Sequence, residues 1–191
     1  MGLTGVVFDT ETTGLNPSTD CIIEIGAWKF KDGVSVDKFQ SFVSIDKRIP
    51  TNIMQLTGII DKDLEGAGSI QEVLLEFYNF VGDNPLIGFN LPFDINFIEA
   101  KGRYYGLSFV KGRLGLDALP LVRSHYRGLE CYKLEYLVKY FQIEIPQSHR
   151  ALYDAYATKL VVDRCPSYTF TPLDKGDYGT PKETMEGLPL F

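Results

Sequence analysis

Val6-Val7-Phe8-Asp9-Thr10-Glu11-Thr12-Thr13-Gly14 is the stretch on which the reading of this chain turns. An apolar run from Leu3 to Phe8 leads into it, and a polar loop closed by glycine follows. The run reads as a strand. Side chains alternate faces along a strand, so Asp9 and Glu11 point the same way. Two carboxylates on one side at the end of an apolar strand require something positive between them. A hard divalent cation such as Mg²⁺ fits, since it takes oxygen ligands and is held by one or two carboxylates beside a phosphate. The same spacing recurs in Asp63-Leu64-Glu65, with Asp61 beside it, but no apolar strand leads there. That second stretch reads as a solvated turn or the first turn of a helix.

The remaining 182 or so positions bound what such a site could serve. A length of 191 residues suits one domain, and 45% hydrophobic with 23% charged residues is ordinary for a globular chain. A net charge of −6 argues against a broad electrostatic grip on a long duplex, which needs many Lys and Arg contacts to phosphate. It leaves room for a site that holds a few nucleotides through metal ions. Cys21, Cys131 and Cys165 are odd in number, widely spaced and without a CxxC pattern. A reduced, cytoplasmic setting is therefore expected. Neither a signal-peptide pattern nor a long apolar run is present, so no membrane association is expected.

Outward from the first strand, Asn16-Pro17-Ser18-Thr19-Asp20 is turn chemistry. Cys21 to Phe30 reads as a long strand, Lys31-Asp32-Gly33 as a hairpin turn, and Lys38 to Ile45 as a third strand. Helical periodicity then takes over. Ser69 with Glu72 forms a capping-box pattern, and Val73, Leu74, Phe77, Phe80 and Val81 make an apolar stripe. Pro85 to Phe89 is a short buried strand. Helices are expected over 93–105, 117–126, 133–141 and 150–164. Strands followed by alternating helices and strands imply an α/β sandwich on a mixed sheet. From Pro166 onward, prolines and glycines accumulate and periodicity ends, which divides the chain into a domain over 1–165 and a tail over 166–191 expected either to cross the surface or to be partly disordered.

Two more stretches repeat the theme of the first. In Leu86-Ile87-Gly88-Phe89-Asn90-Leu91-Pro92-Phe93-Asp94, an apolar strand runs into a helix with Asp94 in its first turn. A capping carboxylate would look the same. In His149-Arg150-Ala151-Leu152-Tyr153-Asp154-Ala155, Asp154 sits on a patch of small residues with Ala151, Ala155 and Thr158, and His149 lies just over a turn earlier. A carboxylate on such a patch needs a partner.

Together these stretches resemble the three motifs of the DEDDh branch of 3′→5′ exonucleases. Phe-Asp-Thr-Glu-Thr-Thr-Gly-Leu at 8–15 is similar to the first motif, Asn90-x-x-Phe93-Asp94 to the second, and His149-x-x-x-x-Asp154 to the third. The Ile22-Ile23-Glu24-Ile25-Gly26-Ala27 strand and Leu56-Thr57-Gly58-Ile59 look like further family features. Bacterial replicative proofreading exonucleases of the polymerase III epsilon and PolC type are the most similar subgroup. Phe89 departs from the pattern, because many relatives carry His there.

The resemblance implies an RNase H-like α/β fold, with a mixed five-stranded sheet flanked by helices. It implies two divalent metal ions, Mg²⁺ or Mn²⁺, held by Asp9, Glu11, Asp94 and Asp154, with His149 as general base. A histidine can take a proton near neutral pH, and four clustered carboxylates would repel one another strongly without cations. Thr12, Leu56, Thr57 and Asn90 are the implied substrate contacts, although a core leucine, a helix-flanking threonine and a turn asparagine would look alike. The implied substrate is the 3′ end of single-stranded DNA in replication proofreading or repair. RNA is the alternative, and an inactive scaffold bridging sliding clamp and polymerase is the non-enzyme alternative.

The last five residues, Gly187-Leu188-Pro189-Leu190-Phe191, place three apolar side chains at a terminus. They either fold back on the domain or dock in a partner's groove. They resemble the pentapeptide by which bacterial replication proteins bind the sliding clamp, with Leu188, Leu190 and Phe191 as contacts and Gly187 where Gln is expected. A replicative DNA polymerase is a further expected partner.

Overall fold

The computed structural model describes residues 2–146 and 149–173. Its strands are β1 (Gly5–Thr12), β2 (Ile22–Lys31), β3 (Val34–Phe42), β4 (Leu86–Gly88), β5 (Leu114–Asp117) and β6 (Thr171–Pro172). Its helices are α1 (Thr51–Thr57), α2 (Ile70–Val81), α3 (Leu91–Gly102), α4 (Ala118–His125), α5 (Leu134–Tyr140) and α6 (Ala151–Val162). The six strands lie in the order β3-β2-β1-β4-β5-β6. Neighbours β1/β2, β2/β3 and β5/β6 are antiparallel, whereas β1/β4 and β4/β5 are parallel.

The hairpin between β2 and β3 is as tight as its sequence implies. Asp32 and Gly33 both take positive φ, 51° and 84°, so pairing begins at once with Lys31 opposite Val34. The third strand therefore starts four residues earlier than the apolar pattern marks, because its first half is an exposed edge. Helix α2 has the expected cap. The Ser69 backbone N–H donates to Glu72 Oε2 at 2.8 Å, and the Glu72 N–H donates to Ser69 Oγ at 3.3 Å. The Asp61–Leu64 stretch is a single 3₁₀ turn with exposed acids, as its lack of a leading strand implies.

The alternation of β1 sorts the two faces of the sheet. Val6 and Phe8 pack with Val73, Leu74 and Phe77 of α2 and with Ile95, Phe97 and Ile98 of α3. Val7 points the other way, to Leu3, Phe30, Ile87, Leu116 and the Ala155 and Val162 of α6. Helices α4 and α5 flank α6, closing a third cluster around Val122, Leu137, Ala157 and Val161. By the same period of two, Asp9 and Glu11 face α6, and Thr10 faces α3.

The sheet has six strands where five were expected. The sixth comes from the segment read as tail. Gly115 has no side chain, and a Cβ there would lie 2.4 Å from Leu173 Cδ2. Leu173 can thus bury itself in the main core while Thr171 pairs with Gly115. Strand β5 itself, four residues with a glycine inside, carried no readable alternation. Helix α1 was also unmarked in the sequence, being two turns long.

Candidate active site

Helix α6 reaches the site because β2 lets it come close. A Cβ on Gly26 would stand 2.1 Å from Leu152 N and 2.3 Å from Ala151 C, so helix backbone lies directly on strand backbone. Gly26 is the register partner of Asp9. The first turn of α6 is thereby set down beside the end of β1. Two further bonds fix it. Trp28 Nε1 donates to Leu152 O at 2.9 Å. Glu24, fully buried and opposite Glu11, accepts from Arg150 Nη2 at 2.9 Å, Arg150 Nε at 3.2 Å and the Ala151 N–H at 3.2 Å. Its other neighbour, Gln40, donates from Nε2 at 2.7 Å.

That seating brings one oxygen each of Asp9, Glu11 and Asp154 within 4.8 Å of one another. Asp154 Oδ2 accepts the Arg150 N–H at 3.1 Å, which holds the carboxylate across the start of its own helix. His149 precedes this turn with φ 56°, a left-handed conformation that a non-glycine residue rarely adopts. Its imidazole favours the ionised form of Asp154. Three carboxylates this close make an all-oxygen donor set suited to a hard divalent cation.

Asp94 arrives from the other face. Strand β4 ends at Gly88, and the Asp94 carboxylate takes over where the strand stops. Its Oδ1 accepts the Thr10 N–H at 2.9 Å and the Thr10 hydroxyl at 2.7 Å. Its charge adds the largest repulsion that Asp9 feels, yet its oxygens fall outside the set that lies within 4.8 Å. Asp94 therefore borders the three-carboxylate cluster rather than belonging to it. The turn that carries it is tied down by Asp117, whose Oδ1 accepts both the Asn90 N–H at 2.9 Å and the Leu119 N–H at 3.0 Å. Asn90 takes φ 59° there.

The other expected contacts are less exposed to a ligand. Thr12 is buried and donates to Gly14 O at 2.6 Å. Thr57 is buried at the end of α1, where its hydroxyl donates to Ile53 O at 2.9 Å and accepts the Ile59 N–H at 3.1 Å. Leu56 beside it is half-buried. Phe89 packs between the α6-side clusters. Leu188, Leu190 and Phe191 lie outside the described residues. Glu24, Thr10 and Asp117 were not singled out as site residues. Only Glu24 carried a signal, as a lone carboxylate in an apolar strand.

The exonuclease family model, RNase_T, matches residues 6–162 of this chain. The chain belongs to the exonuclease family. The PolC-type DNA polymerase III of Halalkalibacterium halodurans is 40% identical over 153 residues, covering 80% of this chain and 11% of that protein. The same polymerase from Bacillus subtilis is 38% identical over 156 residues, covering 81% and 11%. The exonuclease chain thus spans about a tenth of the length of these curated relatives. Among solved structures, exonuclease X in complex with 5′ overhanging duplex DNA superposes with a TM-score of 0.67 at 23% identity, covering 82% of this chain and 87% of that one. E. coli exonuclease I in complex with a dT13 oligonucleotide gives 0.73 at 18% identity, covering 82% and 39%. These likenesses are of fold, the mixed α/β sheet of the RNase H-like class. Among the described residues, no helix is long and apolar enough to cross a membrane.

Burial dominates the electrostatics of the carboxylate cluster. It pushes Glu11 up to about 8, with Asp154 and Glu24 adding repulsion. It pushes Asp94 up to about 7 against the two Thr10 bonds, and Asp154 up to about 6 against His149. Asp9 is raised well above the usual range by burial, then by Asp94, Asp154 and Glu11. Each folded-state value lies above the ordinary carboxylate value of about 4. Between these limits the folded chain holds more protons than the unfolded one, so stability falls as pH rises. Cation-free protein is therefore expected to lose melting temperature from about pH 5 to about pH 8. Added Mg²⁺ is expected to restore more at pH 8 than at pH 5.5. Thermal unfolding at both pH values, with and without Mg²⁺, checks this, and a cation-free curve that is flat or rising refutes it.

Proposed function

We propose that the protein is a metal-dependent 3′→5′ exonuclease that releases nucleoside monophosphates from the 3′ end of single-stranded DNA, in replication proofreading or repair. The observation that carries this reading is the convergence of Asp9, Glu11 and Asp154 within 4.8 Å, with His149 at the start of the same helix as Asp154. Asp9, Glu11 and Asp154 would hold one divalent ion, Mg²⁺ or Mn²⁺. Asp9 would share a second with Asp94. When bound, such a pair of ions activates the attacking water and stabilises the leaving oxygen. His149 takes the proton of the attacking water. Thr10 holds Asp94 in place by donating twice to its Oδ1.

The DNA preference and the polarity rest on family likeness, together with the PolC relatives. Work beside a replicative polymerase in the cytoplasm fits those relatives as well. The segment 187–191 would add a sliding-clamp contact through Leu188, Leu190 and Phe191, held near its partner by the intervening chain.

Digestion of 5′-labelled single-stranded DNA with Mg²⁺ or Mn²⁺, beside the matching RNA, tests the reading. A ladder shortening from the 3′ end of DNA is expected, abolished by EDTA and slowed about a hundredfold in His149→Ala, the lower end of the range for losing a general base. A ladder on RNA alone moves the substrate to RNA with the same chemistry, and the choice then turns on the 2′-hydroxyl. No ladder on either, from folded protein, would replace the exonuclease reading with the scaffold.

A further inference from the structure

The carboxylates account for the end of a strand and not for the nucleotides that precede it. A cavity of about 370 Å³ lies outside it, lined by Pro17, Ser18, Ala100, Lys101, Arg103 and Tyr104. That volume falls within the range of ligand sites, about 300–1,000 Å³. Both of its walls lead back to the carboxylates. Pro17 and Ser18 belong to the loop that leaves β1 just after Glu11 and Thr12. Lys101 is in the last turn of α3, the helix whose first turn carries Asp94. Seven residues at 1.5 Å each put Lys101 about 10 Å along the helix from Asp94. A strand stacked as in duplex DNA, with one phosphate per about 3.4 Å, covers that span in roughly three nucleotides.

The lining suits such a strand. Lys101 brings a cation to this lining on a chain of net charge −6, beside an Arg103 already paired with Glu99. Tyr104, 84% exposed, presents a ring at the rim. The acids nearby already have partners. Asp20 accepts the Asn16 N–H and pairs with Lys47. Glu99 is buried, accepts from Ser108 and Phe109, and pairs with Arg103 at 3.6 Å. A phosphate beside a lysine and a base on an aromatic face are the two halves of single-strand recognition.

We propose that this cavity holds the phosphate backbone and one base of the nucleic-acid strand, two to three nucleotides upstream of the end being cleaved. The proposal rests on the nucleic-acid reading of the carboxylate site. The test is fluorescence anisotropy with the full chain in Ca²⁺, using 5′-labelled dT12 and dT2 across 50–200 mM NaCl. Lys101→Ala is expected to lower the slope of log affinity against log salt by about 0.7, the single-strand value for one lost phosphate contact. Tyr104→Ala is expected to leave that slope alone and weaken dT12 about tenfold, within the range for one stacked base. Both losses should be at least fivefold smaller on dT2. Arg103 is left in place, since its removal would strip buried Glu99 of an ion-pair partner.

Equal losses on both lengths, or a salt slope unchanged by Lys101→Ala, would overturn the proposal. Thermal melting of each variant separates a damaged fold from a lost contact. A chain that binds dT12 in this pattern without cleaving it would sink the exonuclease reading and leave the strand site standing. Cleavage by protein whose dT12 binding ignores both substitutions would do the reverse.

Discussion

Gly26→Val is expected to abolish cleavage by a larger factor than the loss of either Asp154 or His149 alone. The reason is geometric. Any Cβ at this position would meet Leu152 N at 2.1 Å and Ala151 C at 2.3 Å, where ordinary contact begins near 3.4 Å. Those atoms are main chain, held by Trp28 and Glu24, so they cannot turn aside as a side-chain tip would. Helix α6 must move off the sheet by more than 1 Å, and a displacement of about 1 Å can already cost a hundredfold in rate. Asp154 and His149 ride on that helix start and move together. Overpacking of this kind also costs about 1–3 kcal/mol of stability. Urea unfolding with and without Mg²⁺, run beside single-turnover cleavage, reads both effects. A valine variant that unfolds normally and cleaves within tenfold of the parent would show that the close approach at Gly26 is not what seats the site.

Asp9→Asn separates catalysis from stability by moving them in opposite directions. Asparagine keeps the size of the side chain and removes its charge. Cleavage in Mg²⁺ is expected to fall at least a thousandfold, because the ion's several kcal/mol of transition-state stabilisation depends on that charge. Cation-free stability is expected to rise, because desolvation and the charges of Asp94, Asp154 and Glu11 all oppose the ionised form of Asp9. A gain of about 1 kcal/mol would appear as roughly 2–4 °C in a chain of this length. The melting-temperature gain on adding Mg²⁺ should shrink in the same variant. Loss of activity with loss of stability would mean a damaged fold instead. Retained activity would place the metal-dependent chemistry elsewhere.

Legibility in the sequence followed the range of the forces involved. The Asp9–Glu11 pairing, the Ser69–Glu72 cap and the Asp32-Gly33 turn each depend on neighbours within a few residues. All three stand as their local pattern implies. The short strands did not follow, since β5 is four residues long and β6 two, too short for alternation to register. They exist because Gly115 leaves room for Leu173. Asp94 shows the division within a single residue. Its place in a helix first turn was readable, but its arrival through Thr10 from the opposite face of the sheet was not.

The sequence by itself determined which carboxylates stand ready to converge. Strand alternation, helical spacing and capping are local, and they put Asp9 beside Glu11 and Asp154 one turn after His149. The tertiary structure alone decided how these pieces meet. Gly26 lets α6 onto β2, Glu24 binds the residue that follows His149, and Asp117 joins the turn of Asn90 to that of α4. The distant pairs among them lie 27 to 126 residues apart. No periodicity links such positions, because the contact is chosen by packing and by the requirement that every buried polar group find a partner.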